Sequence, residues 1–260
     1  NTRNLDCTGY TGTLNVNGVA LNCNPAAGGL VRFSAGMTLT GTSSLGINTT
    51  SGAAAVLTSN GKTLPGTGGA GCNISGTGTV QLADAMTCAG TVTLSSGTLD
   101  LNGKTCTWGG FSSSNSNVRT LTTGAATITS SGAGNAGWWI PTATNMTVNA
   151  SGSTINLTGA NVQFYAGFAW WDVNFTGGGG PFTGSSGTSF RNLSVAGTAV
   201  KTDYFGISVY NITVSGTFTA NGNSATNRLL IRSLTGGLVP DLGNARTITA
   251  GATAVTRPPS

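Results

Sequence analysis

Short packets in which an aliphatic residue alternates with Thr, Ser or Asn recur along the chain, for example at residues 13–16 (TLNV), 91–94 (TVTL) and 154–157 (TINL). A period of two places alternate side chains on opposite faces of a β-strand. Thr and Val are also strong strand formers. No segment shows the 3.6-residue period of an amphipathic helix. The pattern therefore predicts an all-β chain.

Turn signals and near-identical segments repeat between these packets. Asn-Gly pairs, which favour turns with positive φ, occur at 17–18, 60–61, 102–103 and 221–222. A second pattern, Asn-x-Arg-Thr-aliphatic-Thr, occurs at 117–122 and 244–249. A third, Asn-aliphatic-Thr/Ser-Val, occurs at 145–148, 192–195 and 211–214. Repeats of this kind indicate stacked structural units.

The repeats favour a right-handed parallel β-solenoid with rungs of about 20 residues, each pairing with the next. The alternative is a set of tandem antiparallel β-sandwiches, which also have short strands and frequent turns. We expect a single elongated solenoid over 1–260, which is part of a larger assembly or chain. Within it, sub-region 1–110 contains all five cysteines and sub-region 111–260 contains the paired tryptophans.

Four segments carry a likeness to a known group of proteins: 190–195, 211–214, 221–233 and 246–249. Over about 188–256 the chain resembles the Gly/Thr-rich β-helical surface and appendage proteins of bacteriophages and environmental bacteria. The likeness is looser over 90–175 and weak before residue 90. It implies an exposed structural or adhesive role and no catalytic residues.

Composition narrows the possible functions. Charged residues make up only 7% of the chain, and both His and Glu are absent. The absence of His excludes His-dependent catalytic triads and His-ligated zinc sites. The net charge of +5 comes from scattered residues, whereas nucleic-acid binders cluster theirs. No apolar run approaches a membrane span. We expect no cofactor, no nucleic-acid partner and no membrane insertion.

Two tryptophan pairs are the candidate contact residues: Trp138, Trp139, Trp170 and Trp171. Adjacent residues of a strand face opposite sides, so one ring of each pair is expected to point outward. Outward rings suit the stacking of a glycan or the anchoring of a partner protein. The alternative is that the rings pack inside the solenoid or between subunits.

Cysteines and aspartates are the other candidate groups. The five cysteines are Cys7, Cys23, Cys72, Cys88 and Cys106. No two of them form a C-x-x-C pair, so we predict no metal site. They form disulfides between adjacent rungs, or they remain buried thiols that fill the core.

A glycosidase needs two carboxylates close together, but the six aspartates are far apart in sequence. We expect them to be solvated or to cap turns, and we predict no catalytic residues.

These observations lead to one functional hypothesis and two alternatives. The chain is predicted to be a non-enzymatic bacteriophage virion protein of the particle surface or of an appendage, extracellular, with an attachment role. Its expected partners are copies of itself (such as a trimer), other virion proteins and a cell-surface glycan. The alternatives are a bacterial cell-surface adhesin or filament subunit, and a polysaccharide-degrading enzyme on the same fold.

Overall fold

A computed structural model describes residues 3–67, 69, 71–178, 181–182, 187–200, 203–207, 211–224, 226–233 and 248–254. Short strands dominate these residues, and α-helix is absent from this part of the chain. A 3-10 turn covers Gly134–Ala136. The strands are β1 (Leu5–Asp6), β2 (Thr13–Asn15), β3 (Leu21–Cys23), β4 (Leu30–Arg32), β5 (Thr38–Thr40), β6 (Leu45–Thr49), β7 (Ala55–Thr58), β8 (Thr63–Leu64), β9 (Cys72–Gly76), β10 (Thr79–Leu82), β11 (Met86–Leu94), β12 (Gly97–Asp100), β13 (Cys106–Ser112), β14 (Arg119–Thr122), β15 (Thr127–Ser130), β16 (Trp138–Ile140), β17 (Met146–Asn149), β18 (Thr154–Leu157), β19 (Phe164–Ala166), β20 (Ala169–Phe175), β21 (Pro181–Phe182), β22 (Ser189–Ala196), β23 (Tyr204–Ile207), β24 (Ile212–Asn221), β25 (Leu230–Ser233) and β26 (Ile248–Ala254).

The chain divides into two compact units. Unit 1 comprises Asn1–Thr129 and Thr142–Ser153. Unit 2 comprises Ser130–Pro141 and Thr154–Ser260.

Unit 1 contains a seven-stranded sheet in the order β1-β4-β7-β10-β12-β14-β17. Each neighbouring pair in this sheet is parallel. Strands β3, β6, β9, β11 and β13 form a second parallel series, with β8 also pairing with β11. Strands β2 and β5 form a separate parallel pair. Stacks of short parallel strands from successive rungs confirm the β-solenoid, and the antiparallel-sandwich alternative is wrong.

Unit 2 repeats this arrangement. Strands β18, β20, β22, β24 and β26 pair in parallel in that order. Strands β21, β23 and β25 form a three-stranded parallel sheet, and β16 pairs in parallel with β19. The spacing of the rungs varies in this unit: paired residues lie from 18 positions apart (Ile155 and Val173) to 36 positions apart (Ile212 and Ile248).

In-register stacking places the aliphatic residues of the alternating packets above one another in the core. One column of unit 1 contains Ala55, Val80, Leu99, Leu121 and Val148. One column of unit 2 contains Ile155, Val173, Leu193 and Phe218. Burial of each large side chain contributes about 1.5–3 kcal/mol. The Thr, Ser and Asn residues between them point outward, as the period of two predicts.

Two of the Asn-Gly pairs form turns with consecutive positive φ angles. Asn60 has φ 48° and Gly61 has φ 74°, and Asn102 and Gly103 have φ 49° and 69°. Asn and Gly tolerate this left-handed region better than other residues. The Asn60 side chain also donates to the Phe33 carbonyl at 2.7 Å, one rung away. These turns therefore change the direction of the chain between strands, and the Asn60 and Asn102 side chains tie adjacent rungs together.

The Asn-x-Arg-Thr pattern places its arginine in the core in the copy that the structure describes. In the copy at 117–122, Arg119 begins β14 and its side chain is fully buried. Residues 244–247 of the second copy lie outside the described part of the chain.

Candidate functional site

The first tryptophan pair lies on β16 and is split between the core and the surface of unit 2. Trp138 is fully buried, whereas Trp139 is half-buried and faces outward. The partner strand β19 places Phe164 opposite Trp138 and Tyr165 opposite Trp139. The alternation predicted from the sequence therefore holds on both strands.

The second pair, on β20, is split in the same way. Trp170 is only 3% exposed, and its ring meets the Trp138 ring edge-on at a centroid distance of 5.5 Å. Phe164 stacks on Trp138 at 6.1 Å and meets Trp170 edge-on at 5.4 Å. Edge-to-face and offset-stacked rings at these distances attract one another. Trp138 and Trp170 therefore belong to an aromatic core, whereas Trp139 and Trp171 are partly exposed to solvent.

Trp139 and Tyr165 form an outward pair of rings, called the aromatic pair below. Their centroids are 5.0 Å apart and their planes are tilted by 44°. Both rings are half-buried, so their orientation is held by the strands while one side remains in solvent. Gln163 and Gly167 flank Tyr165, two residues before and after it. Tyr165 was not among the predicted contact residues, because the pairing of β16 with β19 is not encoded in either strand alone.

Trp171 has different surroundings. The Arg191 guanidinium lies over its ring at 4.5 Å, a cation–π contact. Arg191 Nη1 is 3.9 Å from Asp172 Oδ1, and the Asn192 amide donates to the same oxygen at 2.7 Å. An exposed ion pair of this length contributes less than about 1 kcal/mol. One face of Trp171 is therefore already covered by a cation.

Unit 1 contains a groove that sequence reasoning did not identify. Its volume is about 660 Å³. The groove lies at the corners that join successive strands. Short corners are followed by longer ones, and the longer corners are residues 113–118 and 141–145. Its lining contains neither acidic nor basic side chains and consists of Gly76, Thr77, Ser96, Gly97, Ser116, Asn117, Val118 and Asn145.

The longer corners are held by the buried Arg119 guanidinium. Its Nε donates to the Asn117 carbonyl at 2.9 Å, and its Nη1 donates to the carbonyl and hydroxyl oxygens of Ser113, both at 2.9 Å. Its Nη2 donates to the carbonyls of Thr142 and Thr144 at 3.0 and 2.8 Å. All five N–H donors of the side chain are thus used. None of these acceptors is a carboxylate, and burial lowers the pKa of Arg119 from its ordinary value.

All five cysteines are free thiols. Cys23, Cys72, Cys88 and Cys106 are buried in unit 1, whereas Cys7 is partly exposed. Burial raises the pKa of Cys106 to about 12 and that of Cys72 well above its ordinary value. A protonated thiol is a weak nucleophile. In this structure the four buried cysteines therefore act as small core residues and are not disulfide partners.

The aspartates of the described residues accept hydrogen bonds from nearby turns. Asp84 accepts from the backbone N–H groups of Ser59 and Asn60 at 2.8 and 2.6 Å. Asp203 accepts from the Thr198 hydroxyl at 2.6 Å and from the Thr198 backbone N–H. The predicted turn-capping role is therefore confirmed for both residues. Within the described ranges, no group of three or more Cys or Asp side chains is arranged to hold a metal ion.

Comparison of the chain with protein-family models, with curated proteins and with solved structures gives no match. In the part of the chain that the structure describes, there is no helix with the length and apolarity needed to span a membrane.

Proposed function

We propose that this chain is an attachment protein of an extracellular surface, most specifically a virion surface or appendage protein of a bacteriophage, and that the aromatic pair contacts a glycan. The outward arrangement of Trp139 and Tyr165 is the observation that carries the proposal. Stacked parallel rungs with only 7% charged residues suit a rigid scaffold that presents such a site. Copies of the chain and other virion proteins are the proposed assembly partners.

The chemistry of the aromatic pair suits a sugar ring. A pyranose has an apolar face of C–H groups, which packs against an aromatic ring, and hydroxyl groups around its edge. Trp139 and Tyr165 offer two rings at 5.0 Å, together with an indole N–H and a phenol O–H that form hydrogen bonds. Because the neighbouring strands hold both rings, little side-chain entropy is lost when a ligand binds.

Substitution of the aromatic pair tests the glycan contact. Trp139→Ala and Tyr165→Ala are each expected to weaken binding of the intact protein to host-cell envelope polysaccharide about tenfold, roughly 1.4 kcal/mol. Trp171→Ala is the matched control and is expected to change binding less than about twofold, because Arg191 covers that ring. Affinities are measured by biolayer interferometry on immobilised polysaccharide. Unchanged binding in both the Trp139 and Tyr165 variants would contradict the proposal.

The particle assignment has a separate test. Peptide mass spectrometry on purified virions and on cell-envelope fractions of the source culture is expected to find this chain enriched with capsid and tail proteins. Enrichment with the envelope instead would contradict the virion assignment and support a bacterial adhesin. The glycan contact of the aromatic pair is compatible with either location, so the two experiments fail independently.

A further inference from the structure

Two backbone amides of the groove in unit 1 have the buried Arg119 directly behind them. The carbonyl of Asn117 accepts a hydrogen bond from Arg119 Nε, and the carbonyl of Thr144 accepts one from Nη2. Both peptide bonds are trans, and in a trans peptide the C=O and N–H groups point in opposite directions. The N–H groups of Val118 and Asn145 are therefore directed away from the guanidinium. Both of these residues line the groove.

These two N–H groups are available to a ligand. Neither donates a hydrogen bond to another described residue, and Val118 is 72% exposed. Each amide is polarised by the cation that its carbonyl contacts. Backbone N–H groups backed by positive charge favour an anion. The lining has no acidic side chain to oppose it. Asp100, further along β12, lies outside the lining, and its carboxylate accepts from Gln81 and Asn102.

The other groups of the groove suit a sugar. The side-chain amides of Asn117 and Asn145 donate to the carbonyls of Ser95 and Ser116, each at 2.9 Å. Their orientations are therefore fixed, and their Oδ1 atoms remain as acceptors for hydroxyl groups. The Ser96 hydroxyl oxygen accepts the Gly76 N–H at 2.8 Å and keeps its own proton to donate.

We propose that this groove binds an acidic sugar, with its carboxylate at the N–H groups of Val118 and Asn145 and its hydroxyls at the flanking serine and asparagine side chains. A volume of about 660 Å³ lies within the range of small-ligand sites. The site belongs to unit 1 and uses none of the residues of the aromatic pair. Failure of the groove to bind an acidic sugar would therefore leave the proposed function untouched. Failure of the aromatic pair to bind a glycan would likewise leave the groove proposal untouched.

Binding of trigalacturonate to the full chain, followed by isothermal titration calorimetry, tests the proposal. The fully methyl-esterified trisaccharide lacks the charge and carries an added methyl group on each carboxyl, and it is expected to bind at least about tenfold more weakly. Ser116→Glu places a negative charge in the groove and is expected to weaken trigalacturonate binding about tenfold, whereas the isosteric Ser116→Gln changes it less than about twofold. The Ser116 side chain forms no hydrogen bond in the described structure, so both variants are expected to fold.

A second pair of variants tests the N–H donor of Val118. Val118→Pro lacks the N–H and is expected to weaken binding about fivefold, and Val118→Ala keeps the N–H and is expected to retain most of the affinity. Equal binding of the acid and its ester, or equal binding by the Glu and Gln variants at position 116, overturns the proposal. Inorganic sulfate is titrated in parallel. Saturable binding of sulfate without binding of trigalacturonate overturns the assignment to a sugar.

Discussion

Replacing Arg119 with methionine is expected to lower the free energy of unfolding by about 3–5 kcal/mol, because several buried acceptors lose their donors together. Methionine occupies a similar length of the core but offers no donor. The carbonyls of Ser113, Asn117, Thr142 and Thr144 would lose the hydrogen bonds that they accept from the guanidinium. Each buried acceptor left unpaired costs about 1–3 kcal/mol, less where water can enter.

Equilibrium unfolding in guanidinium chloride, followed by intrinsic tryptophan fluorescence, measures this effect. Arg119→Lys keeps the charge but has three donors in place of five, and it is expected to cost about 2 kcal/mol. Arg191→Met is the matched control on the surface. Its side chain is 49% exposed and its ion pair with Asp172 is long at 3.9 Å, so the expected cost is below about 1 kcal/mol. A similar cost for Arg119→Met would show that the guanidinium does not hold the corners.

Replacing Trp138 with alanine is expected to cost about 3–5 kcal/mol, whereas the same change at the adjacent Trp139 is expected to cost less than about 1 kcal/mol. Trp138 is fully buried against Phe164 and Trp170, so its removal leaves a cavity that the surrounding strands cannot fill. Trp139 is half-buried, so water can fill most of the space that its ring leaves when it is removed. Two neighbouring positions with the same residue therefore differ through burial alone.

The two alanine variants are compared by the same denaturant titration, with circular dichroism to confirm that the strands remain. Trp170→Ala and Trp171→Ala repeat the comparison on β20, where Trp170 is 3% exposed. Equal losses at Trp138 and Trp139 would contradict the assignment of one ring to the core and one to the surface. Because Trp139→Ala is expected to leave stability nearly unchanged, its effect on glycan binding can be read without a correction for unfolding.

The β-class, the positions of many strands and two of the turns were predictable from sequence because they depend on local chemistry. Alternation of Thr with an aliphatic residue at 91–94 and 154–157 matches the strands found there. The Asn-Gly pairs at 60–61 and 102–103 form the positive-φ turns that these residues favour. Each of these features needs only the conformational preferences of a few neighbouring residues. The near-identical repeats then indicated stacking, and parallel pairing confirmed it.

The sites depended on which rungs lie next to each other. Local alternation showed that one tryptophan of each pair faces inward, but the choice between Trp138 and Trp139 required the register with Phe164 and Tyr165. In the sequence, Arg119 is recognisable only as part of a repeated motif. The fold is what surrounds its side chain with carbonyls from residues 113–117 and 142–144. A strand's sequence specifies its two faces, whereas the variable lengths of the intervening corners set what each face meets. The aromatic pair and the groove are therefore products of the tertiary structure, built on strands whose alternation is readable from the amino-acid pattern.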